Sequence, residues 1–284
     1  MTPPPESKNR NLVKRVVVGI VCGPALIWLF FKGGFPLFVF LLFLTALGQW
    51  EIYRMFTHQL RFPHRIIGFT AGSLMILSVF FGYTDFTAVI VVFACVLTFL
   101  TEIVTGSDNR LETAALSLLA IVYPALFVTF LVRISGFRYS SDFEPGHYLL
   151  LYVIIVIWTF DTISYFAGRL FGRRTFFPSV SPKKTLEGFI GGIVGVLMLS
   201  VIAGFYTDTS YRFHTIALSL LIALAGQAGD LSESLIKRDL GVKDSSNIIP
   251  GHGGVLDRFD SLFFAAPVVY SYILIVFRVS GGHS

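Results

Sequence analysis

Nine apolar runs follow one another along the chain, near residues 12–31, 35–53, 66–83, 86–104, 113–132, 148–168, 188–206, 214–236 and 261–279. Each approaches the ~20 residues that a helix needs to cross a bilayer. Within 36–44 the order Pro-Leu-Phe-Val-Phe-Leu-Leu-Phe-Leu never alternates apolar with polar, which excludes the strands of a membrane barrel there. Hydrocarbon offers no water to backbone amides, so such runs must close their hydrogen bonds internally, as helices. The fold class expected is all-α: a polytopic transmembrane helical bundle of about nine spans.

Composition strengthens this picture. Hydrophobic residues make up 54% of 284 and charged residues only 14%, with a mean hydropathy of +0.74. Soluble domains carry about 25% charged residues, so this chain has too few to coat a water-facing surface. Length alone fits one or two soluble domains, yet it divides better into spans. Cys22 and Cys95 lie inside apolar runs with no metal or disulfide spacing, and are expected to be packing residues. The first run has no obvious small-residue cleavage site and further spans follow it, so it is expected to remain as a helix. Residues 1–11, Pro-rich, polar and basic, are expected to form a disordered cytosolic tail, followed by N-terminal helices over 12–147 and a catalytic membrane region over 148–284.

Charge sets an orientation. With the N-terminus in the cytosol, the cytosolic segments hold Lys8, Arg10, Lys14, Arg15, Arg54, Arg61, Arg65, Arg110, Arg169, Arg173, Arg174, Lys183, Lys184, Lys237, Arg238, Lys243 and Arg258. Only Lys32, Arg133, Arg138, Arg212 and Arg278 fall on the other side. This positive-inside bias supports nine spans with the C-terminus outside. No internal repeat stands out. Spans before about residue 147 are nearly free of charge; ionisable residues gather after it, and chemistry is expected there.

Gln227, Asp230, Ser234, Lys237 and Arg238 fall within an arc of about 100° on one helix, with Glu233 beside it. An intramembrane carboxylate is costly and by default suggests function. The plainer alternative pairs Asp230 with Lys237 or Arg238 near a helix end, with Gly241 as the helix stop. In the following loop, Gly251, Gly253 and Gly254 could expose amides to an anion. By themselves those glycines, and His252, are equally a surface turn and a structural loop residue. Asp257 and Asp260 are three apart and share a face if a helix begins there. Carboxylates of this kind suit Mg²⁺ bridged to substrate phosphates.

Asp161, Ser164, Tyr165, Gly168 and Gly172 form a polar and small stripe, its glycines read as helix-packing positions. The loop from Ser181 to Gly188 adds Lys183, Lys184 and Glu187; the lysines serve either a site or the positive-inside bias. Gly188, Gly191, Gly192 and Gly195 are read as close helix contacts, because no Gly-Lys-Ser/Thr follows.

The stretch Ser234-x-Ile236-Lys237-Arg238-x4-Lys243-Asp244-x-Ser246-x2-Ile249-Pro250-x-His252-Gly253-Gly254-Val255-x-Asp257-Arg258-Phe259-Asp260 resembles the signature of phosphatidate cytidylyltransferases, also called CDP-diacylglycerol synthases. Asp161-Thr162-x-Ser164-Tyr165-x2-Gly168 and Ser181-Pro182-Lys183-Lys184-Thr185-x-Glu187-Gly188 look like the family's secondary motifs, with Ser164 where Ala is common. The resemblance covers about residues 158–261. It implies a Mg²⁺-dependent enzyme of phospholipid synthesis that uses CTP and phosphatidate at the bilayer and releases pyrophosphate. Asp230 and Asp257 would be the metal ligands, and a second cation such as K⁺ would accompany Mg²⁺. Lys237, Arg238 and Asp260 would join them in catalysis. Ser234, Lys243, Asp244, His252, Gly253, Gly254, Arg258, Lys183, Lys184 and Asp161 would line the substrate site. A homodimer is compatible with this reading; nucleic acid is not an expected partner. The rivals are a CTP-dependent enzyme acting on another lipid and a transporter, whose intramembrane charges would lie along a crossing path rather than at one membrane face.

Overall fold

The structure is a computed structural model that describes residues 8–58, 63–105, 108–136, 146–207, 209–249, 251 and 253–280. His252, Arg61, Arg138 and the first seven residues of the expected tail lie outside the described residues. The chain runs through α1 (Lys8–Lys32), α2 (Gly34–His58), α3 (Arg65–Phe80), α4 (Phe86–Thr105) and α5 (Arg110–Ala120). α1 thus begins inside the stretch expected to be a tail. A π-turn at Ile121–Leu126 contains Pro124 and leads into α6 (Phe127–Ser135). Proline lacks the amide that a regular turn needs, and the hydrogen-bond ladder widens there. Next come α7 (Gly146–Phe171), a hairpin of β1 (Thr175–Phe177) and β2 (Ser181–Thr185), α8 (Leu186–Gly204), α9 (Arg212–Asp239) and α10 (Leu256–Ser280).

Among the described residues, seven helical stretches are long and apolar enough to cross a membrane: Gly34–Thr57, Phe86–Thr105, Arg110–Ser135, Gly146–Phe171, Leu186–Gly204, Arg212–Asp239 and Leu256–Val276. Two shorter apolar helices, Gly19–Lys32 and Arg65–Phe80, account for the remaining runs. The all-helical class and a span number near nine therefore hold, and the chain is an integral membrane protein. α4 makes the physical point most directly. Phe93, Ile103 and Val104 are 62%, 72% and 84% exposed, an apolar surface of the kind that a membrane-spanning helix presents.

The helices form two compact units: Met1–Ala125 with Val242–Arg258, and Leu126–Gly241 with Phe259–Ser284. This grouping differs from a simple first-half, second-half division, because the loop before α10 joins the early helices. In the first unit, Phe30, Leu37, Leu41, Tyr53, Met75 and Ile76 are buried, and Phe38 stacks on Phe80 at 3.9 Å between ring centroids. Polar side chains tie its helices together. Gln49 Nε2 donates to the carbonyls of Gly68 (2.8 Å) and Ala120 (3.3 Å), and His64 Nε2 meets Glu102 Oε1 at 2.7 Å. The core of the second unit includes Leu150, Val153, Phe160, Val196, Ile222, Phe263 and Val269, with Tyr152 OH and Ser219 Oγ 2.6 Å apart.

Small residues set the α7–α8 contact. A Cβ added to Gly188 would lie 2.8 Å from Ser164 O and 3.1 Å from Gly168 Cα; one added to Gly191 would lie 2.4 Å from Ala167 Cβ. Gly192 and Gly195 meet Ser164 Oγ and Ile163 Cδ1 in the same way, at 2.1 and 2.2 Å. These glycines are helix contacts, as their spacing suggested.

Candidate active site

The segment at 181–185, expected to be a loop, is the second strand of a hairpin and runs directly into α8. Thr175 pairs with Thr185 and Phe177 with Ser181. Phe176, Phe177 and Thr185 are good strand formers, while Pro178 and Pro182 discourage a continuous helix here. Thr185 then caps α8, its Oγ1 accepting from Gly188 N at 3.2 Å. Glu187 Oε2 accepts from the amides of Arg173 (3.0 Å) and Arg174 (3.2 Å), which fastens the entry to the hairpin. Gly168 and Gly172 leave room for Thr185, whose Oγ1 would lie 2.9 Å from a Cβ at either position. Both therefore serve the hairpin as well as the helix contact.

This construction delivers Lys184 to Asp230. The Lys184 ammonium donates to Asp230 Oδ2 although the residues are 46 apart in sequence, and both side chains are about a third exposed. Ser234 Oγ lies 3.4 Å from Asp230 Oδ1, one turn along α9. Asp230 thus has a partner from outside its own helix, beside the alternative of Lys237 or Arg238 within it. Lys237 donates to Glu233 one turn back, and both are buried, at 9% and 1% exposure. Arg238 is exposed on the last turn.

Gly229 lets α10 approach α9, since a Cβ there would lie 2.5 Å from the carbonyl oxygen of Asp260. Asp260 is buried, its Oδ1 accepting from Ser261 N at 2.6 Å, and it lies within electrostatic reach of Asp230, Lys237 and Asp161. The second unit thus gathers Asp161, Lys184, Asp230, Ser234, Lys237 and Asp260. Lys183 is exposed on the hairpin.

The loop of the first unit is organised around carboxylates. Asp257 Oδ2 accepts from Gly254 N (2.7 Å), Ser245 N (3.1 Å) and Ser245 Oγ (3.0 Å). Ile249 and Gly253 pair across the loop, with Gly253 at a φ of +86°, which suits glycine. The amide of Gly254 is therefore engaged by the protein's own carboxylate, and its contribution to the loop is steric. Lys243, Asp244 and Arg258 are exposed. Glu51 of α2, absent from the sequence reading, is fully buried and accepts from this same loop: Ser245 Oγ (3.0 Å), Ser246 Oγ, Val255 N (2.8 Å) and Leu256 N (2.7 Å). The signal was present, since an ionisable residue inside an apolar run warrants suspicion wherever it falls.

Among the described residues, no three His, Cys, Asp or Glu side chains converge into a ready metal cage. The donor set nevertheless fits Mg²⁺. The Asp230 carboxylate offers oxygens of the kind this ion takes, and the Lys184 ammonium on it marks a place where positive charge is stabilised. Mg²⁺ commonly takes one or two carboxylates and completes its shell with water and substrate phosphates.

Fold and side chains together define a polytopic membrane protein that gathers cations and carboxylates for a polyanionic substrate. The chain belongs to the cytidylyltransferase family, whose profile matches residues 13–276, and is a nucleotidyltransferase. It is 29% identical over 272 residues to the phosphatidate cytidylyltransferase of Bacillus subtilis (strain 168), covering 94% of this chain and 99% of that protein. The enzyme of the same name from Haemophilus influenzae is 46% identical over 151 residues, 51% of this chain and 52% of the relative. That from Staphylococcus haemolyticus is 39% identical over 167 residues, 57% and 61% of the respective chains.

Proposed function

We propose that this enzyme transfers the cytidylyl group of CTP to phosphatidate, forming CDP-diacylglycerol and releasing pyrophosphate. The relatives' shared name supports the choice of substrates. The observation that carries the reading is the Lys184–Asp230 pair, with Ser234, Lys237 and Asp260 around it. A hairpin lysine brought to a helix carboxylate gives one place both metal-binding and phosphate-binding chemistry.

The lipid phosphate is the nucleophile. Its second pKa lies near ~6, so at neutral pH it is largely a dianion and needs no protein nucleophile. One of its oxygens attacks the α-phosphorus of CTP, the bond from that phosphorus to the bridging oxygen of the β-phosphate breaks, and pyrophosphate departs with the electron pair. The difficulty is bringing two polyanions together. Mg²⁺, held by Asp230 and Asp257 and accompanied by a second cation such as K⁺, would screen that repulsion and polarise the α-phosphate. Lys184, which stands on Asp230, would offer its ammonium to a phosphate oxygen. Lys237, anchored by Glu233, would face the same charge, and Arg238, Lys243, Arg258 and Lys183 would draw CTP from water. Asp161 and Asp244 would orient the nucleotide. The site would open to the cytosol, on the plasma membrane in a bacterium, where CTP arrives from water and phosphatidate from the leaflet.

The test is purified protein with labelled CTP and a panel of lipid acceptors: phosphatidate, an ether-linked phosphatidate, a polyprenyl phosphate and diacylglycerol. Label should pass to phosphatidate at a rate well above the polyprenyl phosphate and diacylglycerol. Preference for a polyprenyl acceptor, or transfer to none, would refute the assignment.

A further inference from the structure

We infer that Glu51 is a positioning residue: from the second helix it sets the conformation of the 245–257 loop and, through Ser245, the orientation of Asp257. The inference rests on the reading of Asp257 as part of the catalytic machinery. It gives the early helices a part in the chemistry, as the wall on which the loop is mounted.

Burying a carboxylate within a span is costly unless its oxygens are fully satisfied. Glu51 is 0% exposed, and its two oxygens face four donors, all on residues 194 to 205 positions later: three donate to it, and the fourth, the Ser245 hydroxyl, is shared with Asp257. A carboxylate offers about four acceptor sites, so the side chain is saturated by this loop. Two of the donors are the amides of Val255 and Leu256, where α10 starts. Those amides have no partner within the helix, and a negative charge is favourable at that end.

The adjoining residues fit Glu51 closely. A Cβ at position 254 would lie 1.9 Å from Ser245 Oγ and 2.6 Å from Glu51 Oε1, so any larger residue there would displace the serine hydroxyl and the carboxylate. Ser245 Oγ stands 3.0 Å from both Glu51 Oε2 and Asp257 Oδ2. A hydroxyl has one proton, so it bridges the two acids and can donate to only one at a time. Asp257 Oδ2 is held on the loop by this hydroxyl and by two amides.

Glutamine cannot replace Glu51. Oε1 accepts from Val255 N and Oε2 from Leu256 N, so in either flip an amide NH₂ would face a backbone N–H. In the full-length protein, Glu51→Gln should speed hydrogen exchange at residues 245–257 by about 10–100-fold, the scale of one lost charge-assisted bond. Mn²⁺ affinity, read by the electron paramagnetic signal of the free ion, should weaken about tenfold, and kcat should fall by at least that factor. The KM for phosphatidate should stay within about twofold, and the weakened Mn²⁺ affinity is the change that a smaller folded fraction would not produce, since it would lower the number of sites and not their affinity. Ser245→Ala keeps both amides capped and removes only the bridge; it should weaken Mn²⁺ binding in the same direction and serves if Glu51→Gln does not fold. The inference is overturned if Asp257→Asn weakens Mn²⁺ binding while Glu51→Gln and Ser245→Ala leave it and the loop exchange unchanged. If Asp257→Asn itself leaves Mn²⁺ affinity unchanged, the metal reading beneath it fails instead.

Discussion

Asp230 has two neighbours that define its chemistry, the Lys184 ammonium and the Ser234 hydroxyl. Asp230→Asn keeps the size of the side chain but removes the charge that the lysine uses and the proposed metal would use. Cytidylyl transfer should fall by about 100-fold or more, with little change in the melting temperature. Lys184→Met tests the partner. The pair is about a third exposed, so its loss should cost less than about 1 kcal/mol of stability, while kcat/KM for CTP should fall about tenfold or more. Equal losses of stability and activity in these variants would mark the pair as structural. Asp230 was legible in the sequence because a carboxylate within an apolar run needs a reason. Lys184 was ambiguous, since a site lysine and a positive-inside lysine occupy the same place in a loop. Glu51 was overlooked because it stands one turn from the end of an apolar run, beside Trp50 and Arg54, like an interfacial residue; nothing local reveals a partner 194 residues away.

At the scale of elements, the hairpin and the α7–α8 contact place Lys184. Gly188 sits where the two meet, against backbone atoms that cannot rotate away, Ser164 O at 2.8 Å and Gly168 Cα at 3.1 Å. Gly188→Ala should therefore separate α7 from α8, lowering stability by about 1–3 kcal/mol in a detergent melt and reducing activity with it. A wild-type melt would show that the contact is looser than these distances require. The helices were plain from the apolar runs, and the glycine spacing on α8 marked its packing face. The hairpin was not, because strands of three and five residues with a proline and exposed side chains carry no alternating pattern.

For the molecule as a whole, lipid explains the exposed Phe, Val, Ile and Leu side chains, and the run pattern alone disclosed that. The grouping of the 242–258 loop with the early helices was hidden, because it depends on long-range hydrogen bonds to a single buried acid. What such an enzyme must do is join a nucleotide from water to a phosphate in the leaflet. Supplying the purified protein, in phosphatidate-containing micelles with Mg²⁺, with CTP labelled at either the α- or the γ-phosphate follows that directly. Every α-label released from CTP should appear in the lipid extract, matched one for one by γ-label in pyrophosphate. Label from the γ-phosphate in the lipid, or α-label that stays in water while CTP is consumed, would contradict cytidylyl transfer.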